Sequence, residues 1–219
     1  LIFDIETDGL LDEVTKVHCI VTQCTRTGVQ WKFFGDTLKE GVALLRESPE
    51  IGGHNVICYD IPVLEKLYGF DYNGEVFDTL VASRLIYPNL KEKDILKRTV
   101  DNRLIGSHSL KAWGQRLNYN KGAYGEQEDA WTEFNPEMLE YCAQDVALNV
   151  KLYEMIQRKR YPEEPMQLEH DMAKMLFQQQ NIGFPFDVEA AQKLYTQLSA
   201  RKLEIENELV ETLEPTIIE

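Results

Sequence analysis

The sequence has 219 residues, 43% hydrophobic and 27% charged, which describes a globular chain long enough for one domain and part of another. Its 23 basic and 37 acidic side chains give a net charge of −14, which argues against a general nucleic-acid binder with a broadly basic surface. Four cysteines without a CxxC pair, and no apolar run of the roughly 20 residues that a membrane helix needs, argue against a zinc site, a disulfide framework and a membrane protein. We therefore expect a reducing, cytoplasmic setting.

The first third of the chain predicts β-strands joined by tight turns. The β-rich runs lie at residues 1–6, 17–25 and 31–34, and Thr27-Gly28 supplies a turn between the last two. A short helix is expected over 37–46, and residues 51–55 form a strand pattern that ends in a turn. These patterns predict a sheet at the start of the chain.

Strands then alternate with helices. A helix is expected over 61–69 and another over 80–87, with a strand at 75–79 between them. A further helix is expected over 107–117, while much of the rest of 89–134 is polar and irregular. Asn135 and Pro136 then start a long helix as N-cap and first helical residue, and it runs to about Lys159. This order predicts an α/β fold with a mixed sheet flanked by helices.

A change in composition divides the chain. Residues 161–165 contain two prolines and two glutamates and resemble a linker. Two amphipathic helices are expected beyond it, at about 166–180 and from 187 onward, and they cannot form a core alone. We therefore predict one domain over 1–161, and over 162–219 a linker with the first helices of a larger domain that is cut off after Glu219.

The first acidic pair lies on the predicted strand at the start of the chain. Asp4 and Glu6 are two residues apart, so strand alternation places both side chains on one face. Like charges at that distance repel unless a cation neutralises them. The alternative is the polar face of an exposed strand, which the apolar run at residues 1–3 disfavours.

Two further acids occupy helix positions. Asp60 precedes Ile61-Pro62, where an aspartate is commonly an ordinary N-cap. Tyr141 and Asp145 are spaced i, i+4 and share a helix face that continues into apolar residues, so Asp145 faces inward unless it reaches solvent at the edge of that face. Four carboxylates without soft ligands favour Mg²⁺ or Mn²⁺ over zinc, and two such ions can clamp a phosphodiester.

Three segments resemble the motifs of one nuclease family. Residues 4–10 (DIETDGL), 55–60 (NVICYD) and 141–145 (YCAQD) are similar, in this order, to the three motifs of the DEDD 3′→5′ exonucleases, and the last matches the tyrosine-containing (DEDDy) branch. Residues 78–86, 106–117 and 181–187 extend the likeness to the proofreading domains of bacteriophage-type family A DNA polymerases. The resemblance implies a ribonuclease-H-like mixed five-stranded sheet, followed by two helices that begin a truncated polymerase domain.

The resemblance also implies roles for individual residues. Asp4, Glu6 and Asp145 would bind a first divalent ion, and Asp60 with Asp4 a second, both Mg²⁺ or Mn²⁺. Tyr141 would hydrogen-bond the attacking water. Substrate contacts would come from these residues: Thr7, Leu10, Asn55 and Tyr59.

A basic strip runs from Arg84 to Lys121, with nine basic residues against three acids. Such a strip on an acidic body is compatible with a local contact to a polyanion, although a solvated face would look the same. We expect Lys111 and Arg116 to guide the DNA strand.

The resemblance predicts a two-metal-ion 3′→5′ exonuclease that removes nucleoside 5′-monophosphates from DNA. Its expected partners are the single-stranded 3′ end, the remainder of a polymerase chain and a processivity factor, in the cytoplasm of a host cell if the origin is a phage. One alternative is a free-standing ribonuclease-D-like RNA exonuclease, which shares the same acids and tyrosine. A second is a catalytically idle DNA-binding scaffold.

Overall fold

The computed structural model describes residues 1–119, 124 and 131–213. Its strands are β1 (Ile2–Thr7), β2 (Val17–Gln23), β3 (Gln30–Phe34), β4 (Glu50–Gly53) and β5 (Glu75–Asp78). Its α-helices are α1 (Leu38–Glu47), α2 (Asp60–Tyr68), α3 (Thr79–Ile86), α4 (Leu90–Lys97), α5 (Leu110–Arg116), α6 (Pro136–Gln157), α7 (Glu163–Ile182) and α8 (Val188–Thr212). Short 3-10 turns lie at Gly35–Thr37 and Asn102–Leu104. Among the described residues, no helix is both long and apolar enough to cross a membrane.

The five strands form one mixed sheet in the order β3-β2-β1-β4-β5. The β1–β2 and β2–β3 pairs are antiparallel, whereas β1–β4 and β4–β5 are parallel. Because β1, β4 and β5 run in the same direction, their carboxyl ends meet at one edge of the sheet. The predicted acids of β1 and the start of α2 lie at this edge.

Strand β1 is central and is covered on both faces. Phe3 and Ile5 pack into a core with Leu45 of α1 and Leu64 of α2. On the other face Ile2 packs against Cys142 and Val146 of α6. Alternation along β1 therefore directs Asp4 and Glu6 toward α6.

The β1–β2 pairing contains an irregularity beside the predicted site. Glu6 pairs with Cys19 but the next residue, Thr7, pairs with Val17, so His18 has no partner across the ladder. A bulge of this kind bends the strand and redirects its side chains. The His18 side chain is buried, and its Nε2 lies 2.9 Å from the carbonyl oxygen of Trp131. The bulge thus joins β2 to the segment that precedes α6.

The segment after α3 is more ordered than the sequence predicted. Residues 90–97, which lie in a segment expected to be largely irregular, form helix α4, whose Asp94 is buried. The helix was missed because its sequence, LKEKDILK, is mainly charged and has no apolar period. Helix α5 begins at Leu110 with Ser109 as N-cap, inside the predicted range of 107–117.

The chain divides into two compact units, Leu1–Gln179 and Gln180–Glu219. The first holds the sheet and most of α7, so it extends past the domain boundary predicted at residue 161. The predicted linker at 161–165 overlaps the first turn of α7, where Pro165 is tolerated because a first-turn amide needs no helical acceptor. In the second unit α8 begins after Asp187, whose side chain accepts a hydrogen bond from the amide of Ala190. The assignment of 162–219 to a polymerase domain stays a prediction.

Candidate active site

Asp4 and Glu6 lie side by side on β1, as their spacing predicted. Carboxylate oxygens of these two residues and the sulfur of Cys142 all lie within 4.8 Å of one another. Glu6 is only 9% exposed, so its charge is largely removed from water. Two carboxylates this close, at a buried position, favour the binding of a cation between them.

Cys142 joins helix α6 to the acidic pair. Its sulfur lies 3.5 Å from the main-chain oxygen of Asp4 and 3.7 Å from the Asp4 carboxylate. Burial raises the pKa of the Cys142 thiol well above its usual value, and the neighbouring Cys19 and Asp4 act in the same direction. The thiol is therefore a hydrogen-bond donor at neutral pH, and the acceptor groups at the site are hard carboxylate oxygens.

Asp60 is tied directly to the acidic pair. Its Oδ1 accepts a hydrogen bond of 3.2 Å from the main-chain amide of Ile5, the residue between Asp4 and Glu6. Asp60 is the first residue of α2 rather than its N-cap, so the ordinary capping role considered from the sequence does not apply. Burial, followed by the negative charge of Asp4, raises the pKa of Asp60 well above its usual value. A bound cation would relieve the repulsion between the two carboxylates.

Helix α6 brings the last two predicted residues to the same face of the sheet. Asp145 is buried and lies one turn beyond Cys142, so it shares the helix face that contacts Asp4. The Tyr141 ring packs against two other aromatic rings, with centroid distances of 5.7 Å to Tyr124 and 5.9 Å to Trp131. These contacts fix the direction of the Tyr141 side chain.

Among the described residues, the group placed to hold a divalent ion contains two of the predicted acids, Asp4 and Glu6, together with Cys142, whereas Asp60 and Asp145 are not part of that group. The four predicted acids are carboxylates on two strand positions and two helices, and Glu6, Asp60 and Asp145 are all buried. Hard oxygen donors of this kind match Mg²⁺ or Mn²⁺. The clustering of Asp4 and Glu6, and the hydrogen bond that the Ile5 amide donates to Asp60, are compatible with such a site.

The loop after β1 is held by Thr7 and Tyr59. Both side-chain hydroxyls donate to the main-chain oxygen of Gly9, at 3.0 Å and 2.6 Å, and they also contact each other. Burial raises the pKa of the Tyr59 hydroxyl, which keeps it protonated. Leu10 follows this anchor and is 76% exposed. The structure therefore brings Thr7, Leu10 and Tyr59 together, with Leu10 open to a ligand.

Asn55 and Lys111 occupy different surroundings. Asn55 has a φ of 72°, a left-handed conformation that asparagine adopts more readily than most residues, and it opens the loop that leads to Asp60. Lys111 is exposed on α5. Both positions are compatible with the substrate contacts that the resemblance implies.

Arg116 does not belong to an exposed basic strip. Its side chain is 8% exposed and forms two hydrogen bonds with Asp94, Nε to Oδ1 at 3.0 Å and Nη2 to Oδ2 at 2.7 Å. The guanidinium also lies 4.8 Å from the ring centre of Trp113. A predicted DNA contact is thus an internal ion pair, because helix α4 supplies a buried acid that the sequence pattern did not reveal. Lys121, the end of the predicted strip, lies outside the described residues.

Asp78 is not among the predicted site residues, although it lies beside the loop that carries Asn55 and Asp60. Asp78 is 1% exposed, and its carboxylate accepts hydrogen bonds from the main-chain amides of Asn55 and Ile57. An aspartate at the end of a strand and before a helix is typical of an ordinary N-cap. The sequence alone therefore carries no signal for the hydrogen bonds that Asp78 accepts from Asn55 and Ile57.

Two phage polymerases are similar to this chain in sequence. No protein-family profile matches the chain. The chain is 36% identical to the DNA-directed DNA polymerase of Enterobacteria phage T3 and 35% identical to that of Escherichia phage T7, in alignments that cover 97% of this chain. It spans 37% of the length of each of these relatives.

A solved structure supports the fold. A protein described as the apo form of the nuclease aligns with 85% of this chain and 87% of its own, with a TM-score of 0.53 and 22% sequence identity. Together with the strand order, this likeness confirms the predicted ribonuclease-H-like fold.

Proposed function

The chain is homologous to phage DNA-directed DNA polymerases, and from this premise we propose that it is their proofreading part, a 3′→5′ exonuclease that removes nucleoside 5′-monophosphates from DNA. The observation that carries the proposal is the hydrogen bond from the Ile5 amide to Asp60, because it joins the second predicted motif to the acids of the first. Helix α6 adds Tyr141 and Asp145 on the face toward which Asp4 and Glu6 point.

We propose that the four acids hold two divalent ions, Mg²⁺ or Mn²⁺. Asp4, Glu6 and Asp145 would hold one, and Asp60 with Asp4 the other. When bound, such ions offset the charge of the scissile phosphate and lower the pKa of the attacking water. They also reduce the local negative charge, so that an acidic chain can accept a DNA end.

Tyr141 would orient the water. Its hydroxyl has an ordinary pKa near 10 in model compounds, so it acts as a hydrogen-bonding partner rather than a full base at neutral pH. The aromatic contacts with Tyr124 and Trp131 keep the ring in place. Hydrolysis then breaks the bond between phosphorus and the 3′ oxygen of the preceding nucleotide and releases a 5′-monophosphate.

The loop after β1 would bind the terminal nucleotides. Leu10 is exposed beside the anchored Gly9 carbonyl and can pack against the last base, a contact that depends little on sequence. Thr7 and Asn55 would offer hydrogen bonds to the same strand, and Tyr59 holds the loop. Lys111 remains the proposed basic contact, whereas the Arg116 guanidinium is paired internally with Asp94 and is not proposed to contact DNA.

The wider context is also a proposal. Residues 162–219 would begin a polymerase domain whose remainder lies in the same protein, and the activity would be exercised in the cytoplasm of a phage-infected cell. A processivity factor stays a prediction to which no surface is assigned. The RNA exonuclease has the same acids, so substrate tests must separate the two functions.

The test is digestion of a 5′-labelled single-stranded DNA oligonucleotide and of its RNA equivalent, each with Mg²⁺ or EDTA. The Asp4→Ala/Glu6→Ala variant removes the first motif. Asp12→Ala/Glu13→Ala is the matched control, because these two acids lie nearby but are exposed. A Mg²⁺-dependent ladder that shortens from the 3′ end of DNA, present in the control and absent from the first variant, is expected. Cleavage of RNA alone would favour the ribonuclease, and no cleavage by a folded protein would favour the scaffold.

A further inference from the structure

Asp78 ends strand β5 beside the proposed active site and is almost completely buried. One carboxylate oxygen accepts from the amides of Asn55 and Leu80, both at 2.9 Å, and the other accepts from the amide of Ile57 at 3.1 Å. The bond to Leu80 caps helix α3. The other two bonds leave the helix and reach the loop between β4 and α2.

This loop needs an external anchor. Asn55 adopts a left-handed backbone conformation, which few residues other than glycine adopt, although asparagine does so more readily than most. Gly53, two residues earlier, has no space for a side chain, because a Cβ atom there would lie 2.1 Å from Cγ1 of Val56 and 2.8 Å from the main-chain oxygen of Phe3. The chain therefore makes a tight turn under β1, and only three residues after Ile57 it reaches Asp60.

Asp78 is itself held firmly. Its main-chain amide donates a 2.8 Å hydrogen bond to Nε2 of His170, a buried residue of α7. The hydroxyl of the next residue, Thr79, lies 3.0 Å from the main-chain oxygen of Gly53 and 2.7 Å from Oδ1 of Asn149 on α6. The loop is thus connected, through two consecutive residues, to the helix that carries Asp145.

We propose that Asp78 is a positioning residue for the exonuclease reaction. It holds the loop at 55–57, and through it Asp60, at the correct place beside Asp4, while Thr79 joins the same loop to α6. The inference rests on the proposed function for its catalytic consequence. Asp78 itself acts through Asp60 and is not assigned a contact with substrate.

The competing interpretation is that Asp78 only caps α3. Asp78→Asn distinguishes the two, since a side-chain amide has only one acceptor oxygen. That oxygen can accept either from Ile57 or from Asn55 and Leu80, which share one oxygen of the aspartate, but not from all three. Asp187→Asn is the matched control, because Asp187 caps α8 through a single bond to the Ala190 amide. Asp78→Glu is the second variant: it keeps the charge and both oxygens but moves them by one methylene group.

Two readouts are measured at a temperature where each variant is folded by circular dichroism. The first is hydrogen exchange of the Asn55 and Ile57 amides in the metal-free protein. The second is kcat on single-stranded DNA as Mg²⁺ is varied. We expect faster exchange at both amides, a kcat lower by about 10- to 100-fold, and a higher half-saturating Mg²⁺ concentration in Asp78→Asn. Asp187→Asn should match the wild type in both readouts. If Asp78→Asn does not fold, Asp78→Glu takes its place and should show faster exchange at both amides, a lower kcat and a higher half-saturating Mg²⁺ concentration.

Unchanged exchange at the two amides would overturn the inference, as would faster exchange with an unchanged kcat and Mg²⁺ dependence. An equal loss of activity in Asp187→Asn would also overturn it, because capping alone would then explain the effect. The exchange measurement needs no activity. If the wild-type protein cleaved no DNA, the proposed function would fail, whereas hydrogen exchange would still show whether Asp78 anchors the loop.

Discussion

The carboxylate of Asp60 accepts the main-chain hydrogen bond of Ile5, the residue that separates Asp4 from Glu6 on the central strand. A single 3.2 Å contact therefore relates two motifs that lie 55 residues apart in the chain. The position of Asp60 depends on the backbone of β1, whereas its charge is opposed by Asp4. Substitutions can separate these two properties.

We expect Asp60→Asn to lose activity while gaining stability in EDTA. Asparagine retains an oxygen for the Ile5 amide but removes a buried charge that Asp4 and burial disfavour, as the raised pKa of Asp60 shows. Activity should fall by at least about 100-fold, as is typical when a reacting geometry is disturbed, and the melting temperature in EDTA should rise. Asp60→Ala is the control and should be less stable than Asp60→Asn by about 1 kcal/mol, because it also loses the hydrogen bond. A lower melting temperature for Asp60→Asn than for the wild type would contradict this account.

Tyr141→Phe tests the hydroxyl separately from the ring. The phenyl ring retains the contacts with Tyr124 and Trp131, so the melting temperature should change little. The kcat should fall by roughly 100-fold, the lower part of the range for a positioned group that assists proton transfer, with a small change in KM. Tyr141→Leu should lower both kcat and the melting temperature. Full activity of Tyr141→Phe would exclude the proposed role in orienting water.

The Arg116–Asp94 pair should be important for stability rather than for DNA binding. Both side chains are buried, so Arg116→Met leaves an uncompensated charge and should destabilise the fold by about 3–5 kcal/mol. Arg116→Met/Asp94→Leu should recover part of this loss. The free energy of unfolding is measured with urea. Equal losses in the single and double variants would show that the two charges do not stabilise each other.

The same pair predicts a loss of stability in acid. Hydrogen bonding from Arg116 lowers the pKa of Asp94 below its unfolded value, which is near 3.9. Its contribution is therefore fully present above that unfolded value and is lost as the pH falls through the lower folded pKa. Asp94→Asn should flatten the fall in stability over this acidic range. An unchanged slope in urea unfolding at successive pH values would contradict the assignment.

Cys24 should be the most reactive of the four cysteines. Hydrogen bonds from the Thr27 hydroxyl and from nearby main-chain amides lower its pKa to about 7, and it is partly exposed. Cys19 and Cys142 are buried, and burial raises the pKa of Cys58. At pH 7.5 iodoacetamide should modify Cys24 first, because the thiolate is the nucleophile, and Thr27→Val should slow that reaction. Mass spectrometry of the peptides identifies which cysteine is modified first. Labelling of Cys58 before Cys24 would contradict the prediction.

The strands, the long helix α6 and the acidic pair could be predicted from the sequence because each has a local signal. Strand alternation fixed the common face of Asp4 and Glu6, and Asn135-Pro136 marked the start of α6, where the Asn135 side chain accepts from the Met138 amide. Asp60 was predicted as a site residue from the order of the three motifs, because its local sequence alone is typical of a helix cap.

The remaining features depend on contacts between distant residues. Arg116 appeared to be a surface charge because its acid, Asp94, is 22 positions away in a helix without apolar periodicity. The role of Asp78 toward the loop, the bulge at His18 and the bond from Asp78 to His170 involve main-chain groups, which carry no sequence pattern. Local sequence patterns indicate individual strands and helices, but such long-range hydrogen bonds depend on main-chain groups that carry no pattern.

The contact between Cys142 and Asp4 brings together residues 138 positions apart in sequence. No short fragment of the chain can contain both sides of the acidic cluster, and a chain interrupted between them must still assemble the sheet and α6 to form it. Ion affinity should therefore follow the integrity of the whole first unit, since an ion that binds only the native cluster stabilises that unit as one thermodynamic system. Loss of ion binding would thus report the unfolding of the first unit during storage, proteolysis or heating.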